Sequence, residues 1–357
     1  MAEPSWDLSS YDALLLVSFG GPEGPDEVLP FLQHVTRGRD IPDERLRVVG
    51  RHYDDRGGVS PINQECRELL AALRTELVRQ GLELPVYWGN RNSAPFLTDT
   101  LAEADRAGHR RLVVLTTSAY ESYSSCRQYR EDLAAAVRPG MTIDRIRQYA
   151  THPGFVRANA DRVLEVVDRV GPQPRLVFVT HSIPTVMAET AGPPPRSTTG
   201  AYVEAHRQVA QAITAVVDDT TGTPHTYDLV YCSRSGSPHQ PWLEPDVNDH
   251  LVALAGAGIT DVVLAPIGFT SDHMEVVQDL DTEAAGTAAR LGLRCVRANT
   301  ARTHPDFVAA LLDLASERSA IAAGKAVCPA VIPGGRLTET VCPADCCVNL
   351  RQPQTPA

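Results

Sequence analysis

Two stretches of this 357-residue chain concentrate side chains that can handle metal ions and protons. The first is Ser271-Asp272-His273-Met274-Glu275-Val276-Val277-Gln278-Asp279-Leu280-Asp281-Thr282-Glu283, which reads as a helix starting after a buried strand. Asp272 stands where an N-terminal cap is expected. On an α-helix Glu275, Asp279 and Glu283 fall at i, i+4 and i+8, so three carboxylates share one face. Like charges so spaced repel by roughly 0.2–0.5 kcal/mol per exposed pair, and more when buried. A hard divalent cation or a travelling proton would offset that repulsion. The plainer reading is a solvated acidic face near a helix N-terminus, where the dipole favours negative charge. The second stretch is His181, which closes an apolar run and precedes Ser182-Ile183-Pro184. Imidazole is the one neutral side chain that both accepts a proton near pH 7 and coordinates iron. One His beside carboxylates makes a weak site, suited to a metal that is handed on. A strand-end His satisfied by the fold is the alternative.

Four cysteines, Cys66, Cys126, Cys232 and Cys295, are scattered, whereas Cys328, Cys342, Cys346 and Cys347 crowd the C-terminus. The segment around Cys342-Pro343-Ala344-Asp345-Cys346-Cys347 follows a loop rich in Pro and Gly that offers thiols no apolar core. Close-set thiolates usually hold a metal or cluster; incidental cysteines in a tail are the other reading. Gly57-Gly58 forms a turn whose N–H groups could approach an anion, or an ordinary turn. Arg37 and Arg39 present forks suited to carboxylates, or serve solubility alone. A net charge of −11 argues against a nucleic-acid partner, which needs clustered cations. No run approaches the ~20 apolar residues needed to span a bilayer, and residues 1–11 lack the basic and apolar regions of a signal peptide. A cytoplasmic location is expected.

These residues need a scaffold, and the hydrophobic pattern supplies one. Short apolar β-branched runs, each followed by a helical pattern, indicate parallel strands with crossover helices. Eight such runs occupy residues 13–19, 84–88, 112–117, 143–149, 175–180, 229–232, 261–266 and 293–298. Four per half predict an α/β fold of two similar doubly wound, Rossmann-like domains, each with a four-stranded parallel sheet flanked by helices. The expected divisions are 1–152, 153–304, a returning helix at 305–325, and a cysteine-rich tail at 326–357. Ligands of such sheets bind beyond the carboxyl ends of the strands, where His181 and the acidic stretch both lie, so the site is expected in a cleft between the domains.

Thr180-His181-Ser182-Ile183-Pro184 and Gly268-Phe269-Thr270-Ser271-Asp272-His273-Met274-Glu275 together resemble the paired signature of ferrochelatases. Ser18-Phe19-Gly20-Gly21-Pro22, Gly57-Gly58-Val59-Ser60-Pro61 and Pro241-Trp242-Leu243-Glu244-Pro245-Asp246 agree with it, and the match runs in order from about residue 12 to 318. The resemblance implies a lyase of haem biosynthesis that inserts ferrous iron into a porphyrin. His181 and Glu275 would flank the porphyrin centre as catalytic and Fe2+-binding residues, with Asp279 and Glu283 carrying protons or iron. Ser60, Tyr129, Arg37 and Arg39 would meet the macrocycle or its propionates. Phe19 departs from the bacterial relatives that place a metal-facing Tyr there. Some ferrochelatases, actinobacterial ones among them, hold a two-iron, two-sulfur (2Fe-2S) cluster with C-terminal cysteines and one from the body. By that resemblance Cys126, Cys342, Cys346 and Cys347 form the set, with Cys328 as a possible substitute. The implied substrate is coproporphyrin III, with protoporphyrin IX the alternative. The implied enzyme is a monomer that passes its product to the next enzyme of haem synthesis. A non-catalytic porphyrin or haem carrier would share the fold without needing the acidic face, and a cobalt or nickel chelatase is the nearer rival.

Overall fold

The computed structural model describes residues 6–38, 41–235 and 239–350. All eight anticipated strands form: β1 (Ala13–Ser18), β2 (Val86–Asn90), β3 (Arg111–Thr116) and β4 (Thr142–Arg145), then β5 (Arg175–His181), β6 (Tyr227–Cys232), β7 (Asp261–Ala265) and β8 (Arg294–Arg297). They make two parallel sheets of four, ordered β2-β1-β3-β4 and β6-β5-β7-β8. The order is the same in both halves, so β1 and β5 are equivalent inner strands. The carboxyl end of β5 carries His181.

Alternation along each strand sends neighbouring side chains to opposite faces. Leu14 and Leu16 of β1 join one core with Leu115 of β3 and Leu73 of the helix Ile62–Arg79. Ala13, Leu15 and Val17 join another with Leu101 of the helix Leu97–Arg106. Buried on both faces, β1 therefore reads as an unbroken apolar run. In the second sheet Leu176 and Phe178 belong to the core that also holds Leu14 and Leu16, so apolar packing is continuous across both halves. Val177 and Val179 face Val276, Leu280 and Ala284 of the acidic segment. That apolar stripe seats the segment on the sheet and leaves its polar side outward.

The helix Pro305–Ala322 packs on Pro153–Val167, on Ile62–Arg79 and on β3. Beyond it the chain runs back across both halves. Ile332 N–H donates to the Thr151 carbonyl, Arg336 pairs with Glu121 at 3.0 Å, and the Arg336 N–H donates to Gln208. No described helix is long and apolar enough to cross a membrane.

Candidate functional site

The carboxyl end of β5 is fixed from several sides. The Tyr202 hydroxyl donates to the His181 carbonyl at 2.8 Å, and Ser182 N–H donates to the Cys232 carbonyl of β6 at 2.7 Å. The loop after β7 comes close because Gly268 leaves room: a Cβ there would lie 2.2 Å from the Thr180 hydroxyl. The His181 ring donates its Nδ1–H to the Ser182 carbonyl. A carbonyl only accepts, so neutral His181 keeps its lone pair on Nε2. That nitrogen faces Glu275 Oε2 at 3.4 Å.

The acidic segment differs from a simple α-helix in two ways. Its cap is His273, whose Nδ1 accepts the Glu275 N–H at 3.2 Å. Asp272, expected as the cap, is buried and bound instead by Arg297 and Thr300. After one α-turn the chain winds as a π-helix over Val277–Ala284. Its five-residue repeat shows in the side chains, with Thr282 reaching the Val277 carbonyl and Gln278 the Glu283 carboxylate at 3.1 Å. π-turns are rare and cluster at functional sites. The three carboxylates still form one series, with exposed Glu275 and Glu283 on either side of half-buried Asp279.

Electrostatics differentiate these acids. The protein packed around Glu275 would by itself raise its pKa, but the His181 charge beside it overrides this and lowers the carboxyl to about 2. Burial works against protonation of His181 as well, and the Glu275 carboxylate outweighs it, raising the imidazole. Both remain open to solvent at the cleft, with side chains 30% and 51% exposed, so water tempers the pair. Asp279 is raised to about 6, chiefly by burial, against a hydrogen bond from Ser233 and with help from the Glu275 and Glu283 charges. Ser233 holds that position in a left-handed conformation, φ +62°, rare for a residue with a side chain.

The 3.4 Å separation corrects one expectation. A flat macrocycle between two groups needs about 7 Å, a van der Waals contact of about 3.5 Å on each face. His181 and Glu275 therefore leave no room for a flat macrocycle between them.

The chain matches the ferrochelatase family over residues 11–319. It is 52% identical over 353 residues to the coproporphyrin III ferrochelatase of Streptomyces coelicolor, covering 96% of this chain and 94% of that one. It is 45% identical over 380 residues to the coproporphyrin III ferrochelatase of Leifsonia xyli, covering 100% and 96%. The chain belongs to the ferrochelatase family. The fold also matches solved chelatases: SirB from Bacillus subtilis with Fe3+ superposes with a TM-score of 0.53 at 13% identity, covering 87% of this chain and 97% of that one.

In this ferrochelatase chain the proposed porphyrin contacts are dispersed. Exposed Arg37 bonds the His34 ring at 2.9 Å, and Arg39 lies outside the described residues. Ser60 is buried beside Gly21. Tyr129 is buried too, its ring 4.3 Å from the Arg91 guanidinium and its hydroxyl bonded to Thr117 and Arg91. Gly57 and Gly58 are not an anion nest, because their N–H groups donate to the Asp54 and Tyr53 carbonyls. Gly58 serves packing: it sits at φ +78°, and a Cβ would lie 2.3 Å from the Pro25 nitrogen. Phe19 is partly exposed and meets the Phe31 ring edge-on; its hydrocarbon ring offers no ligand atom.

The ferrochelatase cysteines separate cleanly. All eight are free thiols. Cys126, in a π-turn at Tyr123–Arg127, touches Cys342 and Cys347, and Cys346 touches the same two. The Cys346 and Cys347 sulfurs are 3.7 Å apart. Arg145 donates to the Cys126 sulfur at 3.1 Å and the Gly192 N–H to the Cys347 sulfur at 3.2 Å. The thiol contacts, then Arg145, push Cys126 toward thiolate despite its burial. Cys328 is exposed.

Other features carry less chemistry. A hollow of about 630 Å³ lies away from these residues on the edge strand β2, beside Leu77, Val78 and Trp88. Asp161, His304 and Asp306 cluster within metal-ligand reach, yet Arg157 pairs with Asp161 and the Asp306 N–H occupies His304 Nδ1. Sequence reasoning passed over His273, Ser233 and Arg297. His273 stood two residues before Glu275 in the motif and was legible as a cap. The other two act through contacts remote in sequence.

Proposed function

We propose that this chain inserts Fe2+ into coproporphyrin III to give iron-coproporphyrin III. The observation that carries the reading is the Nε2 lone pair of His181 set 3.4 Å from Glu275, with a graded acidic series behind it. Ferrous iron is a substrate here, held weakly by one imidazole and one carboxylate and then released to the ring nitrogens. His181 gives up its proton to bind the metal, or takes a pyrrole proton once the metal has left. Asp279, with a pKa of about 6, accepts protons near neutrality, and exposed Glu283 exchanges them with water. The His181 and Glu275 side chains stay open to solvent, and peripheral binding of the macrocycle supplies the strain that turns ring nitrogens toward the metal.

The names of the Streptomyces and Leifsonia relatives support coproporphyrin III over protoporphyrin IX. Four propionates also suit the guanidinium forks of Arg37 and Arg39, and the family resemblance adds Ser60 and Tyr129 as contacts of the macrocycle. Cys126, Cys342, Cys346 and Cys347 suit a 2Fe-2S cluster: four sulfurs face one another, and N–H donors reach two of them. When bound, the cluster would add a covalent tie between tail and body, and metal insertion needs no electron from it. Domains of 1–152 and 153–304, with a returning helix and a cysteine tail, fit the two equivalent sheets. We also place the protein in the cytoplasm as a monomer, a compartment whose reducing conditions keep thiols from pairing as disulfides. Passing the product to the next enzyme of haem synthesis fits a cleft that opens to solvent.

The test is anaerobic iron insertion into the two porphyrins at equal concentration, followed by absorption. Faster turnover of coproporphyrin III is expected; a preference for protoporphyrin IX would overturn the substrate assignment.

A further inference from the structure

Residues 272–283 hold five carboxylates, Asp272, Glu275, Asp279, Asp281 and Glu283, and wind partly as a π-helix. Both features are unfavourable alone. Like charges repel along the segment, and π-winding is rare. A neighbouring strand answers both with one side chain. Arg297, the last residue of β8, places its guanidinium between Asp272 at the entrance of the segment and Asp281 within the π-helix. Its Nε donates to Asp281 at 2.6 Å, and Nη2 donates to Asp281 and Asp272, each at 3.0 Å. Nη1 donates to Asp272 at 3.2 Å and to the Ala298 carbonyl at 3.4 Å. All five N–H groups of the fork are thereby used. The side chain is 15% exposed, so the charge is poorly screened and its removal would leave two carboxylates without their cation.

We propose that Arg297 is a positioning residue for metal insertion: by gripping Asp272 and Asp281 together it keeps Val277–Ala284 wound as a π-helix and aims Glu275, Asp279 and Glu283 along the cleft. The grip depends on winding. In an α-helix each residue is turned further about the axis, so Asp281 would swing away from a guanidinium already fixed to Asp272. β8 is hydrogen-bonded to β7, and the loop after β7 leads into the segment, so the fork is tied to the same sheet it braces. From the other side the Asp272 N–H donates to Glu65 at 2.7 Å, on the helix Ile62–Arg79. The start of the segment is thus seated on both halves of the molecule, and within the π-helix Arg297 holds Asp281 while Ser233 holds Asp279.

The inference rests on the metal-insertion reading of Glu275, and the experiment separates the two. Arg297→Met, Arg297→Lys and Asp281→Asn are compared with the native chain in steady-state turnover and in amide hydrogen exchange. Arg297→Met should lower kcat roughly tenfold to a hundredfold, as misplacement of reacting groups does, and leave KM for the porphyrin unchanged. Exchange should rise over 277–284 and stay native in β5 to β8. Arg297→Lys should recover part of kcat, because an ammonium cannot fork to two carboxylates. Adding Asp281→Asn to Arg297→Met should cost little more, as expected when both act through one contact. Native kcat and exchange in Arg297→Met would overturn the inference, as would a rise in exchange spread evenly over β5 to β8. Normal turnover in Glu275→Gln would overturn the reading beneath it, and the exchange over 277–284 would still report on Arg297.

Discussion

The chemistry of single residues here is set by which atom each hydrogen bond occupies. Donation from His181 Nδ1 to a carbonyl leaves Nε2 as the working nitrogen, and the proton that Glu275 favours there competes with metal for the same lone pair. A proton and Fe2+ exclude one another there, so iron binding strengthens as His181 loses its raised proton above its ordinary pKa of about 6.5. On the acid side the controlling group is Asp279. The Ser233 hydroxyl stabilises its ionised form, and removing that donor raises a pKa already at about 6. Ser233→Ala should therefore move the acid limb of the kcat profile to higher pH, and an unmoved limb would show that Asp279 is not the proton acceptor. His181 and Glu275 were legible in the sequence because a strand end and a carboxylate series are local signals. That the two meet at 3.4 Å, too close to hold a macrocycle between them, was not, since it depends on how two loops meet beyond separate strands. Asp272 misled for a related reason: its position suits a cap, but a buried guanidinium from β8 outcompetes a backbone N–H for its carboxylate.

At the level of elements, hydrophobic periodicity located all eight strands, because strands buried on both faces appear as plain apolar runs. It could not distinguish α from π winding, since Val276, Leu280 and Ala284 make an apolar stripe in either case. The tail was legible only as a cysteine pattern. Its path comes from polar contacts with no sequence signature, with Arg127, Arg130 and Arg196 donating to carbonyls of Ala344, Cys342 and Asp345. Arg196 and Gly192 belong to the loop before the helix Gly200–Thr221, which carries Tyr202 and so supports His181. Cys126→Ser should abolish the visible absorption of a 2Fe-2S cluster in anaerobically purified protein, whereas Cys328→Ser should retain it. Native absorption in the first variant, or its loss in the second, would contradict the ligand set.

For the whole molecule, two sheets of the same order share a continuous apolar core, and beyond the carboxyl ends of the second sheet a histidine from β5 meets acids from the segment after β7. The architecture could be read from the sequence because parallel sheets with crossover helices impose it locally. The proposed porphyrin contacts were less legible: Ser60 and Tyr129 are both buried, Tyr129 on the helix Gln128–Ala136 with its ring against the Arg91 guanidinium. The central claim is that His181 and Glu275 together receive ferrous iron and deliver it to the porphyrin. Anaerobic metallation of coproporphyrin III by His181→Ala, alongside porphyrin binding by the same variant, tests it most directly. The account predicts that binding persists while iron insertion falls by at least about a hundredfold; turnover at the native rate would contradict it.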